Sequence, residues 1–466
     1  MEYLLYKKNI PLLKYKEEKG YIEVQKVFNK EHLPVALFIN GKASDENLYA
    51  LNEKMERFLN NRLIPSTRPN FKEALKELGI DSNYELAKKS FFLSLTDQYW
   101  ICPLELKDKL FWEDINFFAN EYNSDIGIRL VNNSESLNKN SNSTSPDNAT
   151  NGELAKRWHR EGGVNYLEKA GTGSEQLEPV NEVLASEICR RLGIPYVPYF
   201  FKERAGKYFC DCPDMVDQTC ELVPMDAVYE DLHLTEENFY DYQQLINRCS
   251  QMNIPNVEED LLKVLLLDFI IANVDRHSYN ISFIRNSNTL QWKGLAPVYD
   301  SGKTMFLDEM DFEIAMTSSG QIKAKPFFNT QAEQISKLPF YKIASSVNLD
   351  KLEGIDQWYA DFLKPLKRIP QEKKSALVEK LSQRIQEAKE ILQSLASSQK
   401  VKNKKASSVQ LVFEALKRNP GQTKEELSNS TGLSRATITR AYALLEKKEK
   451  IERIGSNKTG WWKILE

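Results

Sequence analysis

The chain has 466 residues, of which 41% are hydrophobic and 28% charged, and its formal net charge is −3. This length predicts about three domains, and no apolar run reaches the roughly eighteen residues that a membrane-spanning helix needs. The N-terminus alternates apolar and charged positions and lacks the basic start and apolar centre of a secretory signal. We therefore expect a cytoplasmic protein without membrane contacts.

Charge is distributed unevenly along the chain. Residues 401–466 carry 14 Lys and Arg against 7 Asp and Glu, a local balance of +7 that leaves −10 on the remainder. A basic segment attached to an acidic body predicts that the segment binds a polyanion while the body has a different role.

Residues 1–130 combine strand and helix patterns. Residues 21–28 are strand-like, and the apolar spacing over 48–59 and 71–78 predicts two helices. Ser82, with Glu85 three positions on, predicts the start of a third helix. This region contains no recognisable catalytic motif, so we expect an α+β accessory or substrate-facing domain.

Residues 131–152 are rich in Asn and Ser and lack apolar periodicity, so this segment cannot bury enough surface to fold alone. We predict a linker, which could also serve as a mobile loop over a nucleotide. Residues 153–229 are mainly strand-like with one helix near 181–192, and residues 230–396 are mainly helical. A second linker is expected at 397–405.

Three of the six cysteines, Cys210, Cys212 and Cys220, lie close together in the sequence. No second Cys pair or nearby His pair completes a tetrahedral zinc set. Free thiols are therefore expected instead of a metal site.

Residues 273–280 read Asn-Val-Asp-Arg-His-Ser-Tyr-Asn and follow a strongly apolar segment. Phosphoryl transfer needs a carboxylate that accepts the proton of the attacking hydroxyl, and oxygen ligands for the metal ions on the phosphates. Asp275 suits the first role. Asn280, and Asp300 at the end of the following hairpin, suit the second, because Mg²⁺ prefers hard oxygen donors. The alternative is that the Asp-Arg-His triplet only caps a helix.

This pattern resembles the HipA-like kinases, whose catalytic segment reads Asn-x-Asp-x-His-x-x-Asn and whose metal-binding Asp follows a Tyr. The resemblance covers residues 145–395. It implies an α+β, bilobal, protein-kinase-like fold that transfers phosphate from ATP, with Mg²⁺, to serine or threonine of a protein. Asn273 and His277 would support the catalytic loop. The Ser-Gly after Asp300 replaces the Phe-Gly of eukaryotic protein kinases, so their Phe packing is not available here.

The nucleotide half of the site is predicted from separate signals. Gly152 lies four positions before Lys156, which matches the small-residue phosphate loop of HipA-like kinases. Lys169 ends a strand from which a lysine could reach the α- and β-phosphates, and Glu182 in the next helix is its candidate partner. Each lysine taken alone is more often a solvated surface residue.

Two further predictions concern adenine and regulation. The segment 221–223 lies between a strand and Pro224, so the backbone of Glu221 and Val223 is the candidate reader of adenine at an interlobe connection. The phosphorylatable serine of the family aligns with Ala149, which leaves Thr150 and Ser145 as substitute autophosphorylation sites.

Residues 406–466 predict three helices and a hairpin and resemble the winged helix-turn-helix domains of bacterial regulators. The third helix, capped by Ser434, places Ile438, Ala441 and Leu445 inward. The residues left to face DNA are Arg435, Thr437, Arg440, Arg453 and Lys458. The alternative is a winged helix used for protein contacts.

Three functions compete: a protein kinase with a DNA-binding appendage, a small-molecule kinase or nucleotide-transferring enzyme on the same fold, and a DNA-binding regulator with a silent kinase domain. Asp275, Asn280 and Asp300 together argue against the last. The resemblance favours a protein substrate and implies a toxin, stress or self-regulating role. An antitoxin partner and a homo-oligomer both stay open.

Overall fold

The structure is a computed structural model that describes residues 1–18, 20–131, 144–229, 232–235, 239–455 and 461–465, with backbone alone for 399–407. Most of the predicted linker at 131–152 and the predicted DNA contact Lys458 lie outside these residues. The chain divides into two units, Met1–Pro339 with Val347–Ala388, and Phe340–Ser346 with Lys389–Glu466.

The first unit begins with an antiparallel sheet in the order β3-β2-β1-β4, formed by β1 (Glu2–Lys7), β2 (Ile10–Glu18), β3 (Tyr21–Val27) and β4 (Tyr99–Pro103). Leu51, Met55 and Leu59 of the first helix are fully buried in the core of this sheet. The helices of this region are α1 (Leu48–Asn60), α2 (Phe71–Leu78), α3 (Asn83–Lys89), α4 (Trp112–Ile115) and α5 (Asp125–Val131). The predicted strand and helices at 21–28, 48–59 and 71–78 are thus confirmed.

The second sheet forms the smaller lobe of the predicted kinase-like body. Its order is β5-β6-β8-β7, from β5 (Lys156–Glu161), β6 (Val164–Ala170), β7 (Phe200–Arg204) and β8 (Lys207–Pro213). Helix α6 (Glu178–Leu192) packs on β8. This helix begins three residues before the predicted start, because Pro179 fits the first turn of a helix, and it ends at Gly193, whose φ of 73° suits a residue without Cβ.

The third sheet belongs to the larger lobe and has the order β11-β10-β9, from β9 (Cys220–Pro224), β10 (Ser282–Asn286) and β11 (Trp292–Leu295). The chain passes from the second sheet to the third over residues 214–219, just before the predicted interlobe segment 221–223. The predicted hairpin after the catalytic segment is confirmed by the pairing of β10 with β11.

Helices make up the rest of the larger lobe. The predicted buried helix is α9 (Val257–Ile270), in which Leu261, Leu265 and Leu267 are almost completely buried. Its neighbours are α7 (Met225–Tyr229), α8 (Tyr242–Gln251), α10 (Asp311–Met316), α11 (Gln331–Lys337) and α12 (Ile355–Leu363).

Helix α13 (Gln371–Arg418) includes the whole segment 397–405 that its Ser and Lys content predicted to be a linker. No Gly or Pro interrupts residues 391–405, so nothing in the sequence stops the helical backbone there.

The second unit contains α14 (Lys424–Thr431), α15 (Arg435–Lys447), β12 (Ile451–Ile454) and β13 (Trp461–Ile464). Its core is formed by Val412, Leu416, Leu427, Ile438, Ala441, Tyr442, Leu445, Ile451 and Trp462. Trp462 is buried, whereas its neighbour Trp461 is 46% exposed. Successive residues of a strand face opposite sides of the sheet, so the ring of Trp462 faces the core while the ring of Trp461 faces away from it.

All six cysteines are buried and free. Among the described residues, no group of three or more His, Cys, Asp or Glu is arranged to hold a metal ion. Within the same residues, no helix combines the length and apolar character needed to cross a bilayer.

Candidate active site and DNA-binding face

The predicted catalytic segment, residues 273–280, is anchored by a buried ion pair. Arg276 is 1% exposed and donates to Asp268 near the end of α9, with its Nε and Nη2 each 2.9 Å from a carboxylate oxygen. It also donates to the Tyr299 carbonyl at 2.7 Å and to Ser301 Oγ at 2.9 Å. One guanidinium therefore joins α9, the catalytic loop and the residues on either side of Asp300. Planar five-donor geometry makes arginine suited to this role.

Asp275 lies on this loop with its side chain 21% exposed. Its backbone N–H donates to Asn273 Oδ1 at 2.9 Å, and its carbonyl accepts from Asn280 Nδ2 at 3.0 Å. The carboxylate faces two lysines, with Lys325 Nζ 2.9 Å from Oδ1 and Lys303 Nζ 3.4 Å from Oδ2. Sequence reasoning missed both lysines because they lie in loops without a motif.

Asp300 is held by an ion cluster from the smaller lobe. Lys169 Nζ lies 2.8 Å from Asp300 Oδ1 and 2.8 Å from Glu182 Oε1, and it donates to Tyr199 OH at 3.1 Å. Burial by itself would raise the pKa of Asp300, but Lys169 and then Lys156 hold it well below its usual range. Against the effect of burial, Asp300 and Glu182 raise the pKa of Lys169 well above its ordinary value. The structure therefore brings together three predicted residues, Lys169, Glu182 and Asp300, and burial raises the pKa of Glu182 above its usual range.

Asn280 and Asp300 are the oxygen donors that could bind a hard cation in this part of the cleft. Asn280 uses its Nδ2 as the donor to Asp275, so its Oδ1 is the atom suited to a metal. His277 Nδ1 accepts from the Tyr279 N–H at 3.3 Å. Burial lowers the pKa of His277, which favours the neutral ring that accepts this hydrogen bond; its supporting role stays a prediction.

The predicted phosphate loop lies at the edge of the second sheet. Lys156 Nζ donates to the Asn151 carbonyl at 2.9 Å. Gly152 has a φ of 102°, a backbone conformation that favours glycine, and a Cβ there would also displace the flexible end of Lys156, whose Nζ would lie 2.3 Å away. Burial, assisted by the charge of Arg68, lowers the pKa of Lys156 to about 7.

Both autophosphorylation candidates have their hydroxyl groups engaged. Ser145 is 1% exposed, and its Oγ accepts from the Asp147 N–H at 3.2 Å. Thr150 Oγ1 donates to the Pro146 carbonyl at 2.7 Å and accepts from Trp158 Nε1 at 3.2 Å. Phosphorylation of Ser145 would require this segment to open.

A cleft of about 760 Å³ joins these groups. Its lining includes ten of the predicted site residues: Thr150, Gly152, Lys156, Lys169, Glu221, Val223, Asp275, His277, Asn280 and Asp300. Glu182 and Asn273 are buried partners of residues in the cleft wall. The N-terminal region also supplies part of the wall, including Pro34, Phe58, Asn61 and Asp97, which sequence reasoning did not predict.

Glu221 has a second role that its position in the sequence did not reveal. Its carboxylate forms buried ion pairs with Arg285 of β10 and with Lys7 of β1, the latter at 3.4 Å. Leu222 N–H donates to the Thr96 carbonyl at 2.9 Å. These contacts fasten the N-terminal sheet to β9. Because Leu222 directs its N–H away from β10, the backbone groups of its neighbours Glu221 and Val223 face β10 in the antiparallel pair, an arrangement that does not favour the predicted reading of adenine by these two groups.

The predicted DNA contacts of the second unit lie on α15 and the hairpin. Arg435 and Arg440 are exposed, and Arg435 pairs with Glu425 at 2.6 Å. The Thr437 N–H donates to the helix cap Ser434, and the Arg453 guanidinium lies 5.0 Å from the centre of the Trp462 ring. Lys458 is outside the described residues.

Two solved structures resemble this chain at low identity. One is the Helicobacter pylori proinflammatory kinase CtkA, at 16% identity and a TM-score of 0.38, covering 52% of this chain and 95% of that one. The other is a chain from the Shewanella oneidensis MR-1 toxin–antitoxin complex of HipA, HipB and operator DNA, at 12% identity and a TM-score of 0.47, covering 83% and 97%. Among curated proteins, none matches this sequence.

Two family models match the sequence. The winged helix-turn-helix DNA-binding model covers residues 410–452, in agreement with the predicted module. The HipA-like C-terminal domain model covers residues 140–388, close to the predicted extent of 145–395. Because that match spans more than half of the chain, the protein belongs to the HipA-like kinase family and carries a winged helix-turn-helix domain of the DNA-binding type.

Proposed function

We propose that this protein is an ATP- and Mg²⁺-dependent serine/threonine protein kinase with an attached DNA-binding domain. The observation that carries the proposal is the contact of Lys169 with both Glu182 and Asp300 at 2.8 Å, in a cleft that Asp275 and Asn280 also line. A lysine paired with a helix glutamate, a metal-binding aspartate and a catalytic aspartate are the parts that a protein-kinase-like phosphoryl transfer needs.

Asp275 is proposed as the residue that orients the substrate hydroxyl and accepts its proton. Lys303 and Lys325 place positive charge beside its carboxylate, where charge on the transferring phosphate would be stabilised. Mg²⁺, when bound by Asn280 and Asp300, would neutralise the β- and γ-phosphate oxygens. The donor set fits this ion, because Asp300 is ionised and both ligands offer hard oxygen atoms.

The cleft also suits a nucleotide. Its wall contains the apolar side chains of Leu167, Val197, Met215 and Leu222, together with Lys156 and Lys169. Flat apolar surface beside cationic groups is what a nucleoside triphosphate requires.

The test is transfer of labelled phosphate from ATP in the presence of Mg²⁺ and cell lysate, followed by identification of the labelled species. We expect label on protein serine or threonine, and a loss of about a hundredfold or more with Asp275→Asn, which removes the base at constant size. Asp361→Asn, at an exposed position that bonds Gln357, is the matched control. Label confined to small molecules would favour the alternative function, and equal transfer by Asp275→Asn would refute the assigned base.

We further propose that this activity restrains growth of the host cell and that the winged helix binds the operator of its own gene. Family membership and the basic C-terminal segment support this role. Controlled expression should reduce colony counts for the parent protein and not for Asp275→Asn. Equal colony counts for both would exclude a toxin role.

A further inference from the structure

Arg68 of the N-terminal domain contacts the phosphate loop directly. Its side chain is buried, with 2% of the residue exposed. Its Nε donates to the Gly152 carbonyl at 2.9 Å, and its Nη2 donates to the same oxygen at 2.6 Å and to the Thr150 carbonyl. A rigid guanidinium fork thereby spans two carbonyl groups of the loop.

The direction of these carbonyl groups determines the direction of the neighbouring amides. In a trans peptide the C=O of one residue and the N–H of the next point to opposite sides. Carbonyls of Thr150 and Gly152 that face Arg68 therefore turn the N–H groups of Asn151 and Glu153 away from it. Asn151 and Glu153 line the cleft, and backbone N–H groups of this kind bind phosphate oxygens.

A second contact from the N-terminal domain holds Ser145, which precedes the phosphate loop in the sequence. Ser90 Oγ, also from the N-terminal domain, donates to the Ser145 carbonyl at 3.2 Å and accepts from the Ser145 N–H at 3.2 Å. Burial lowers the pKa of Arg68 to about 10, so its guanidinium stays charged at neutral pH. Its positive charge thus lies behind the loop, on the side opposite to a bound polyphosphate.

We propose that Arg68 is a positioning residue through which the N-terminal domain holds the phosphate loop in its nucleotide-binding conformation. This inference rests on the proposed function, that the cleft binds ATP. It assigns residues 1–130 a part in nucleotide binding in addition to forming part of the cleft wall.

The test compares ATP and adenosine binding to the full-length parent, Arg68→Gln and Arg68→Lys by calorimetry. We expect Arg68→Gln to weaken ATP binding by about tenfold or more, the effect of losing charged hydrogen bonds. Adenosine has no phosphates, so its affinity should not change. Arg68→Lys, which keeps the charge without the fork, should be intermediate. In the kinase assay the KM for ATP should rise while kcat at saturating ATP stays within about twofold.

Lys88→Gln is the matched control, because it removes a cation of the same domain that pairs with Glu17. Unchanged ATP affinity in Arg68→Gln, or a parallel loss of ATP and adenosine binding, would overturn the inference. If Arg68→Gln does not fold, equal ATP affinities of Arg68→Lys and the parent would overturn it. A parent protein that binds no ATP would instead refute the proposed function.

Discussion

Asp300 has a backbone conformation unusual for its residue type. Its φ of 55° lies in the left-handed region, where residues other than glycine are uncommon and strain is often associated with functional sites. The contacts of Lys169 with its carboxylate, and of Arg276 with the adjacent Tyr299 and Ser301, stabilise this conformation.

Removal of the Asp300 carboxylate should affect Mg²⁺-dependent ATP binding more than removal of the Asn280 amide. We predict that Asp300→Ala abolishes the Mg²⁺ dependence of ATP binding and that Asn280→Ala weakens it by a smaller factor, because a carboxylate is the stronger ligand. Calorimetry with ATP, with and without Mg²⁺, measures both. Asp300→Ala binding that retains the full Mg²⁺ dependence would contradict the metal assignment.

The lowered pKa of Lys156 leads us to predict that the affinity for ATP depends on pH. Its pKa of about 7 in the nucleotide-free protein means that it is charged below that pH and increasingly neutral above it. A polyphosphate binds the charged form better, so the affinity of the parent should fall as pH rises from about 7, relative to Lys156→Met, which has no titrating group. Calorimetry from about pH 6 to pH 9 checks this, and parallel curves for the two proteins would exclude Lys156 as a phosphate contact.

At the level of elements, the predicted catalytic segment 273–280 depends on α9 for its position. Asp268 near the end of the helix binds Arg276, and it also accepts from Asn273 Nδ2 at 2.7 Å. Both sides of the pair are almost completely buried, at 1% and 3% side-chain exposure. Loss of one partner would leave an uncompensated charge inside the protein.

We predict that Asp268→Ala lowers the free energy of unfolding by about 3 kcal/mol or more, the usual cost of breaking a buried pair from one side. Arg190→Ala, which removes an exposed partner of Glu187, should leave the free energy of unfolding almost unchanged, because water screens an exposed ion pair. Urea titration followed by tryptophan fluorescence measures both variants. Similar midpoints for Asp268→Ala and the parent would show that the pair contributes little to stability.

At the level of the whole molecule, the second unit has a core of its own that includes Leu416, Leu427 and Leu445. We predict that the 401–466 fragment folds alone and binds duplex DNA, with affinity falling about tenfold or more between 50 and 200 mM salt if several phosphates are contacted. Circular dichroism and fluorescence anisotropy measure folding and binding. Salt-insensitive binding, or none to any duplex, would favour a protein-contact role.

Arg435→Ala combined with Arg440→Ala should weaken DNA binding and leave kinase activity of the full chain unchanged. These side chains are exposed on α15, and phosphate contacts dominate affinity of this kind. Lys417→Ala, near the end of α13, is the control. Full DNA affinity in the double variant would exclude this face of α15.

Residues that lie close together in the sequence predicted much of the secondary structure and much of the candidate site of this protein. Asp275 and Asn280 lie five residues apart and Asp300 follows one hairpin later, so their meeting in one cleft could be predicted from their spacing together with the family resemblance. Spacing also predicted caps such as Thr423 with Glu426, which form a capping box at the start of α14. These features depend on hydrogen bonds between residues a few positions apart, and a linear sequence displays such relations directly.

Only the tertiary structure showed which distant residues meet. Arg68 reaches a loop more than eighty residues away, Glu221 pairs with Lys7 across 214 positions, and Lys303 and Lys325 meet at Asp275. The partners of these charged residues could not be inferred from the sequence, because charged residues show no spacing pattern that identifies a distant partner. Burial removes water from these groups and makes each contact depend on the packing of several elements at once, so their partners were decided by the fold and not by local sequence.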